Sequence, residues 1–198
     1  EQPTVRKDTQ GRMHFKIVFW GPSLSGKTTA LRWIYDNVEG LQKGSFTSVA
    51  DHTGRTLFFD YTPVQATEQV VFEIYTVAGQ KRHAGQRKVI LEGVDGILFV
   101  ADSTPDQMEA NIESLNELRE LLGPRLGHEV ILIVMLNKQD LPNAMQRDVM
   151  LAKLGLGNVT CFTTCALSGE NVKRSFRQIT RDILMQHVYQ TPAKASVS

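Results

Sequence analysis

The segment Gly21-Pro22-Ser23-Leu24-Ser25-Gly26-Lys27-Thr28 fills every fixed position of the pattern G-x-x-x-x-G-K-S/T, and no other stretch restricts the fold as much. It leaves an apolar run over residues 15–20 and enters a helical pattern over 29–35. It therefore reads as the turn of a strand–loop–helix unit. Glycines let the backbone curl around an anion, so that successive N–H groups and the positive end of the helix face phosphate. The loop and first helical residues, Ser23, Leu24, Ser25, Gly26, Lys27, Thr28 and Thr29, are the candidate nucleotide-binding set. Within it, Lys27 would bridge the terminal phosphates and the Thr28 hydroxyl would ligate Mg²⁺.

The remaining pattern agrees with such a unit. Apolar, β-branched runs at 15–20, 70–77, 96–101 and 130–136 are mostly continuous rather than alternating, as in strands covered on both faces. Two more strands are expected at 56–61 and 159–164. Between them lie helical stripes, one through Met108, Ile112, Leu115, Leu118 and Leu122, another through Val172, Phe176, Ile179 and Ile183. Strands alternating with helices predict a three-layer α/β fold with a mostly parallel six-stranded sheet and helices on both faces. The domain should span 14–189, preceded by a flexible segment over 1–13 and followed by a disordered tail over 190–198.

A phosphate loop alone fits ATP kinases, ATPases and GTPases. The base is read elsewhere. Asn137-Lys138-Gln139-Asp140 follows directly on the 130–136 run, at the sheet edge where a nucleotide would lie. The Asp140 carboxylate can accept two hydrogen bonds from guanine N1–H and N2–H₂. Adenine lacks that donor pair and would leave the acid unpaired, at a cost of roughly 1–3 kcal/mol or more. Asn137 would brace the loops and the Lys138 stem would lie against the base. Downstream, Thr164-Cys165-Ala166-Leu167 closes the last strand, placing Cys165, Ala166 and Leu167 beside the base with the Ala166 N–H toward guanine O6.

Thr76-Val77-Ala78-Gly79-Gln80 ends the third long run. A Gly79 N–H beside the γ-phosphate and a Gln80 side chain on the attacking water would make a hydrolytic site that works by positioning and charge neutralisation. The polar, aperiodic loop 44–55 carries Arg55, followed by Thr56. Composition alone reads Arg55 as a solvated arginine beside an edge strand; the other reading is an arginine finger supplied in cis. Thr56 would ligate Mg²⁺ when GTP is bound. Asp60 faces the metal or is simply a strand-end carboxylate.

These motifs, in this order, resemble the Ras superfamily of small GTPases over 15–188. More narrowly, segments 21–29, 55–60, 75–80 and 93–97 look like its bacterial MglA-like branch, which regulates cell polarity and gliding motility. The resemblance implies a Ras-like G domain of the three-layer P-loop NTPase class, switching between GDP and GTP with Mg²⁺. It implies Arg55 as arginine finger, Gln80 as catalytic partner, and Thr28, Thr56 and Asp60 as metal ligands. It also implies a γ-phosphate-dependent change in the second strand, a roadblock-domain (LC7), MglB-like regulator, nucleotide-dependent effectors and recruitment to cell poles. Three positions depart from the pattern. Ala78 replaces a proline, Leu167 replaces a lysine beside the base, and Ser23 stands where the branch has glycine. A side chain at position 23 points at the space needed by Gln80 and Arg55, which opens a second reading: a GTP-bound scaffold with negligible hydrolysis. A P-loop kinase lacks support, having no arginine-rich lid insert and conflicting with Asp140.

Composition narrows the setting. Apolar residues at 41% suffice for a core, and a formal net charge of +1 gives no reason to expect nucleic-acid binding. No run is apolar enough for membrane insertion, and two cysteines, Cys161 and Cys165, read as packing residues in a reducing, cytoplasmic setting. Lys173, Arg174, Arg177 and Arg181 make one face of the last helix basic, and Lys81, Arg82, Arg87 and Lys88 form a second basic group after Gln80. The first reads as a solvated face, with a membrane surface, a polymer or a protein partner as the sharper alternative; the second is a candidate part of a partner surface that changes with nucleotide.

Overall fold

Gly96–Asp102 is buried at every position, as a central strand must be when helices cover both of its faces. In the computed structural model, which describes residues 5–39, 42–44, 60–78 and 84–189, that strand is β6. It is preceded by β1 (Arg6–Lys7), β2 (Met13–Trp20), α1 (Lys27–Asn37), β3 (Gln42–Lys43), β4 (Tyr61–Thr67), β5 (Val70–Thr76) and α2 (Ala84–Ile90). It is followed by α3 (Met108–Leu122), β7 (Ile131–Asn137), α4 (Arg147–Leu154), β8 (Cys161–Thr163) and α5 (Val172–Leu184).

The sheet runs β3-β4-β5-β2-β6-β7-β8, with β1 beside β2. The pairs β2–β5, β2–β6, β6–β7 and β7–β8 are parallel; β3–β4, β4–β5 and β1–β2 are antiparallel. The six expected strands carry the sheet, and the two-residue β1 and β3 extend it to eight among the described residues. Side chains from β2 sort by pleat. Phe15, Ile17 and Phe19 pack in one layer with Leu31 and Ile34 of α1 and Phe176 and Ile179 of α5. Val18 and Trp20 face the opposite layer, with Leu115 and Leu118 of α3 and Met150 of α4. This two-sided cover explains the continuous apolar runs in the sequence.

Of the strand expected at 56–61, residues 56–59 lie outside the described residues; among the described residues a strand runs Tyr61–Thr67, past the expected end. Thr62 and Val64 are buried while their neighbours are not, the alternation of a strand covered on one face, and Pro63 interrupts its β-propensity. Its pairing with β5 holds it in the sheet despite that composition. The short helices α2 and α4 were likewise not anticipated. Within the segment expected to lead in flexibly, Arg6–Lys7 pairs antiparallel with Met13 and His14.

Register brings the site together. Phe19 pairs with Thr76, Trp20 with Phe99, and Asp102 with Asn137, so β2, β5, β6 and β7 end at one edge of the sheet. The chain turns to opposite sides of β2, toward β5 and toward β6, and the loop after β2 opens at this switch point.

Candidate nucleotide-binding site

The phosphate loop is shaped by its backbone. Leu24 lies at φ +62° and Gly26, which caps α1, at φ +106°. At Gly26 the glycine is required for space as well as conformation: a Cβ there would fall 2.2 Å from Asn137 Nδ2. That close approach joins the two principal motifs, since Asn137 Nδ2 donates to the Ser25 carbonyl at 2.8 Å.

Lys27 opens α1 and turns its ammonium back over the loop, donating to the carbonyls of Gly21 at 3.0 Å and Pro22 at 2.6 Å. It is buried, and burial pushes its pKa down to about 7, against the raising influence of Asp60 and with a further lowering from the Arg87 charge. Beside it, the hydroxyls of Thr28 and Thr76 both donate to Asp60 Oδ2, while the Asp60 N–H donates to Thr76 Oγ1 at 3.0 Å. Asp60 is fully buried. The structure thus brings Thr28 and Asp60, both expected near the metal, into direct contact, and adds Thr76 as the group that orients the acid.

At the base end Asn137 is a hub. Its Oδ1 accepts from Thr164 Oγ1 at 3.1 Å and from the Ala166 N–H at 2.9 Å. That N–H, expected to point at guanine O6, is thus engaged by Asn137 in this structure. Lys138, at φ +66°, ends in an ion pair with Asp102 at 2.5 Å, so its head is tied to the end of β6 and its stem spans the site. Gln139 Nε2 bonds Ser103 Oγ at 2.7 Å and the Met145 carbonyl at 3.1 Å. A cavity of about 180 Å³ opens between the loops. Leu24, Gly26 and Thr29 line it on one side, Asn137, Lys138, Asp140 and Leu141 on another, and Cys165, Ala166 and Leu167 on a third. Asp140 is exposed at its mouth, as is Leu167. Ser23 is half-buried in the phosphate loop.

Gly79, Gln80, Arg55 and Thr56 lie outside the described residues. Sequence reasoning missed Asp102, which anchors Lys138, and Asn111, whose side chain caps β6 by pairing with both the N–H and the carbonyl of Asp102 at 2.9 and 2.7 Å. Arg87, expected in a basic group on a nucleotide-dependent partner surface, is instead buried. The signal available was position: Asp102 directly follows an apolar run, and Asn111 interrupts an otherwise apolar helix stripe. Among the described residues no group of three or more His, Cys, Asp or Glu side chains could hold a metal, and no helix is long and apolar enough to cross a membrane. Both cysteines are free and buried; Cys161 packs in the core, its thiol pushed up to about 11 by burial.

A three-layer sheet with a phosphate loop at its switch point and an Asn-Lys-x-Asp loop across from it defines a small GTPase of the Ras superfamily. The ADP-ribosylation factor family model matches residues 3–183, and the chain belongs to that family. It is 39% identical over 178 residues to the mutual gliding-motility protein MglA of Myxococcus xanthus, covering 86% of this chain and 91% of that protein, which makes it a small GTPase of the MglA type. Its fold is also that of the Arl6 BBS3 small GTPase from Trypanosoma brucei, solved with the nucleotide analogue GppNp, with a TM-score of 0.68 at 20% identity over 87% of this chain and 99% of the other.

Proposed function

We propose that the chain is a GTP-hydrolysing switch whose Asp140 selects guanine and whose Lys27 and loop amides hold the phosphates. The observation that carries this reading is the Asn137 side chain, which hydrogen-bonds the phosphate loop at Ser25 and the base-side loop at Ala166 and so makes one site of two motifs. The oxygen donors at Thr28 and Asp60 suit a hard cation, so these residues, with Thr56, would hold Mg²⁺. Such an ion supplies charge neutralisation at the β- and γ-phosphates.

Gln80 orients the attacking water in this reading, and Arg55 reaches the developing charge. The 39% identity to MglA supports a roadblock-domain regulator that accelerates hydrolysis, nucleotide-dependent effectors, a cytoplasmic setting and a role in bacterial polarity or motility. Ser23 favours one second reading, a GTP-bound scaffold with negligible turnover, because a side chain at that place crowds the water.

Phosphate release from purified protein, with and without an MglB-like partner, tests the choice. Stimulated release supports the switch; rates equal to buffer with GTP retained support the scaffold. Preference for ATP in competition with GTP would refute both.

A further inference from the structure

The last helix carries its cations against its own electrostatics. In α5, with Asn171 as N-cap, the first turn holds Lys173 and Arg174 and no acid. A helix N-terminus bears partial positive charge and favours anions, so both cations stand at the disfavoured end. Arg177 and Arg181 continue the row at helical spacing, where like charges oppose one another. Arg6, Arg12, Arg87 and Arg125 each meet a carboxylate, whereas among the described residues Arg174, Arg177 and Arg181 meet none. The neighbouring Asp182 is engaged by Gln178, whose Nε2 donates to it at 2.8 Å.

These arginines border a groove of about 240 Å³ between α5 and β8, the last strand of the sheet. Phe162 and Gln178 complete its lining, and no carboxylate belongs to it. One wall is already built. The Arg174 guanidinium lies over the Phe162 ring, 5.4 Å from its centre, and donates to Asn171 Oδ1 at 3.3 Å. Phe162 in turn packs against the core layer that holds α5. From Arg174 to Arg181 the helix rises about 10 Å. Such a row is longer than one phosphate and suits two, because a phosphate offers several oxygens that adjacent guanidinium forks can share.

We infer that this groove is a binding site, apart from the guanine cleft, for a ligand carrying two phosphate groups, held by Arg174, Arg177 and Arg181. The anion neutralises a row that the free helix holds at a cost, so its binding stabilises the fold.

The test is titration calorimetry on the full chain in excess GDP and Mg²⁺, with fructose 1,6-bisphosphate as the soluble probe. A second arm is sedimentation with vesicles of phosphatidylcholine, alone or mixed with cardiolipin. Replacing both Arg177→Gln and Arg181→Gln should weaken binding by about tenfold or more. Arg177→Lys with Arg181→Lys keeps the charge but loses the forks, and should weaken it about threefold. Lys153→Gln, which removes an exposed cation of α4, should leave it unchanged. Uptake of the soluble probe supports the site with a free phosphate ligand; arginine-dependent sedimentation with cardiolipin vesicles alone supports it with a lipid headgroup. Because the two arginines are exposed and repel each other, the melting temperature without probe should hold or rise in the glutamine variant. A fall marks the row as structural and overturns the inference. So does an equal loss in Lys153→Gln, displacement of the probe by GDP, tighter arginine-dependent binding of poly-glutamate, or no binding in either arm.

Discussion

The base end and the phosphate end of the cleft are built on different physics. Around the base, order comes mainly from neutral hydrogen bonds, beside the single Lys138–Asp102 ion pair: Asn137 serves Ser25, Thr164 and Ala166, while Gln139 serves Ser103 and Met145. Around the phosphates, order comes from buried charge, with Lys27, Asp60 and Arg87 all nearly inaccessible. A buried neutral network is stable once satisfied; a buried ammonium solvated mainly by two carbonyls is held at a cost. On the proposed function, the first region would recognise its ligand without needing it for stability, and the second would gain stability when an anion arrives.

Three experiments press on this contrast, beginning with the largest expected effect. Asp140→Asn should lower GTP affinity by about a thousandfold and raise affinity for xanthosine triphosphate, since the amide turns an acceptor into a donor opposite the base. Because Asp140 is exposed, its melting temperature should barely move. Loss of stability in step with affinity would break the separation between reading the base and holding the fold. Asn137→Ala removes a buried hub with three partners, leaving Ser25, Thr164 and Ala166 polar groups without it. Denaturant unfolding of nucleotide-free protein should show a loss of about 2–4 kcal/mol. A loss below about 1 kcal/mol would mean the base end is not pre-built.

The smallest effect concerns pH. With Lys27 lowered to about 7 in the fold, the unfolded chain binds the extra proton between that value and the ordinary lysine range. Stability of nucleotide-free protein therefore rises with pH, by about 1–2 kcal/mol from pH 7 to about 8.5. Above that, Cys161, pushed up to about 11, and Tyr61, pushed up to about 12, contribute the opposite slope, since each keeps its proton longer folded than unfolded. Bound GDP should flatten the rise by favouring the charged ammonium, and Lys27→Met should abolish it. A rise that persists in Lys27→Met would assign it to another group.

What could be read from sequence follows the range of the forces involved. The runs that became β2, β5, β6 and β7 announce themselves because burial on both faces leaves no polar alternation. β4 does not, since Thr62, Pro63 and Gln65 look like loop and only pairing with β5 makes them strand. In α2, seven residues including Gly85 offer too short a period. The motif residues are legible because backbone geometry fixes their spacing within a few positions. Asp102 against Lys138, and Arg87 against Glu117, are contacts between segments 36 and 30 residues apart. Nothing local marks them, so these two pairings came from the fold alone. The Ala166 N–H shows the converse: the sequence located the group, and the structure showed its hydrogen bond directed to Asn137.

Arg6 and the backbone of Lys16 both meet Asp95, at 3.1 and 2.7 Å, and His187 lies 3.8 Å from the same carboxylate. Asp95 immediately precedes β6, at the sheet edge away from the cleft. Arg6 and His187 are thus both held at the pole far from the cleft, and a tether or fusion joined beside either would present the cleft outward.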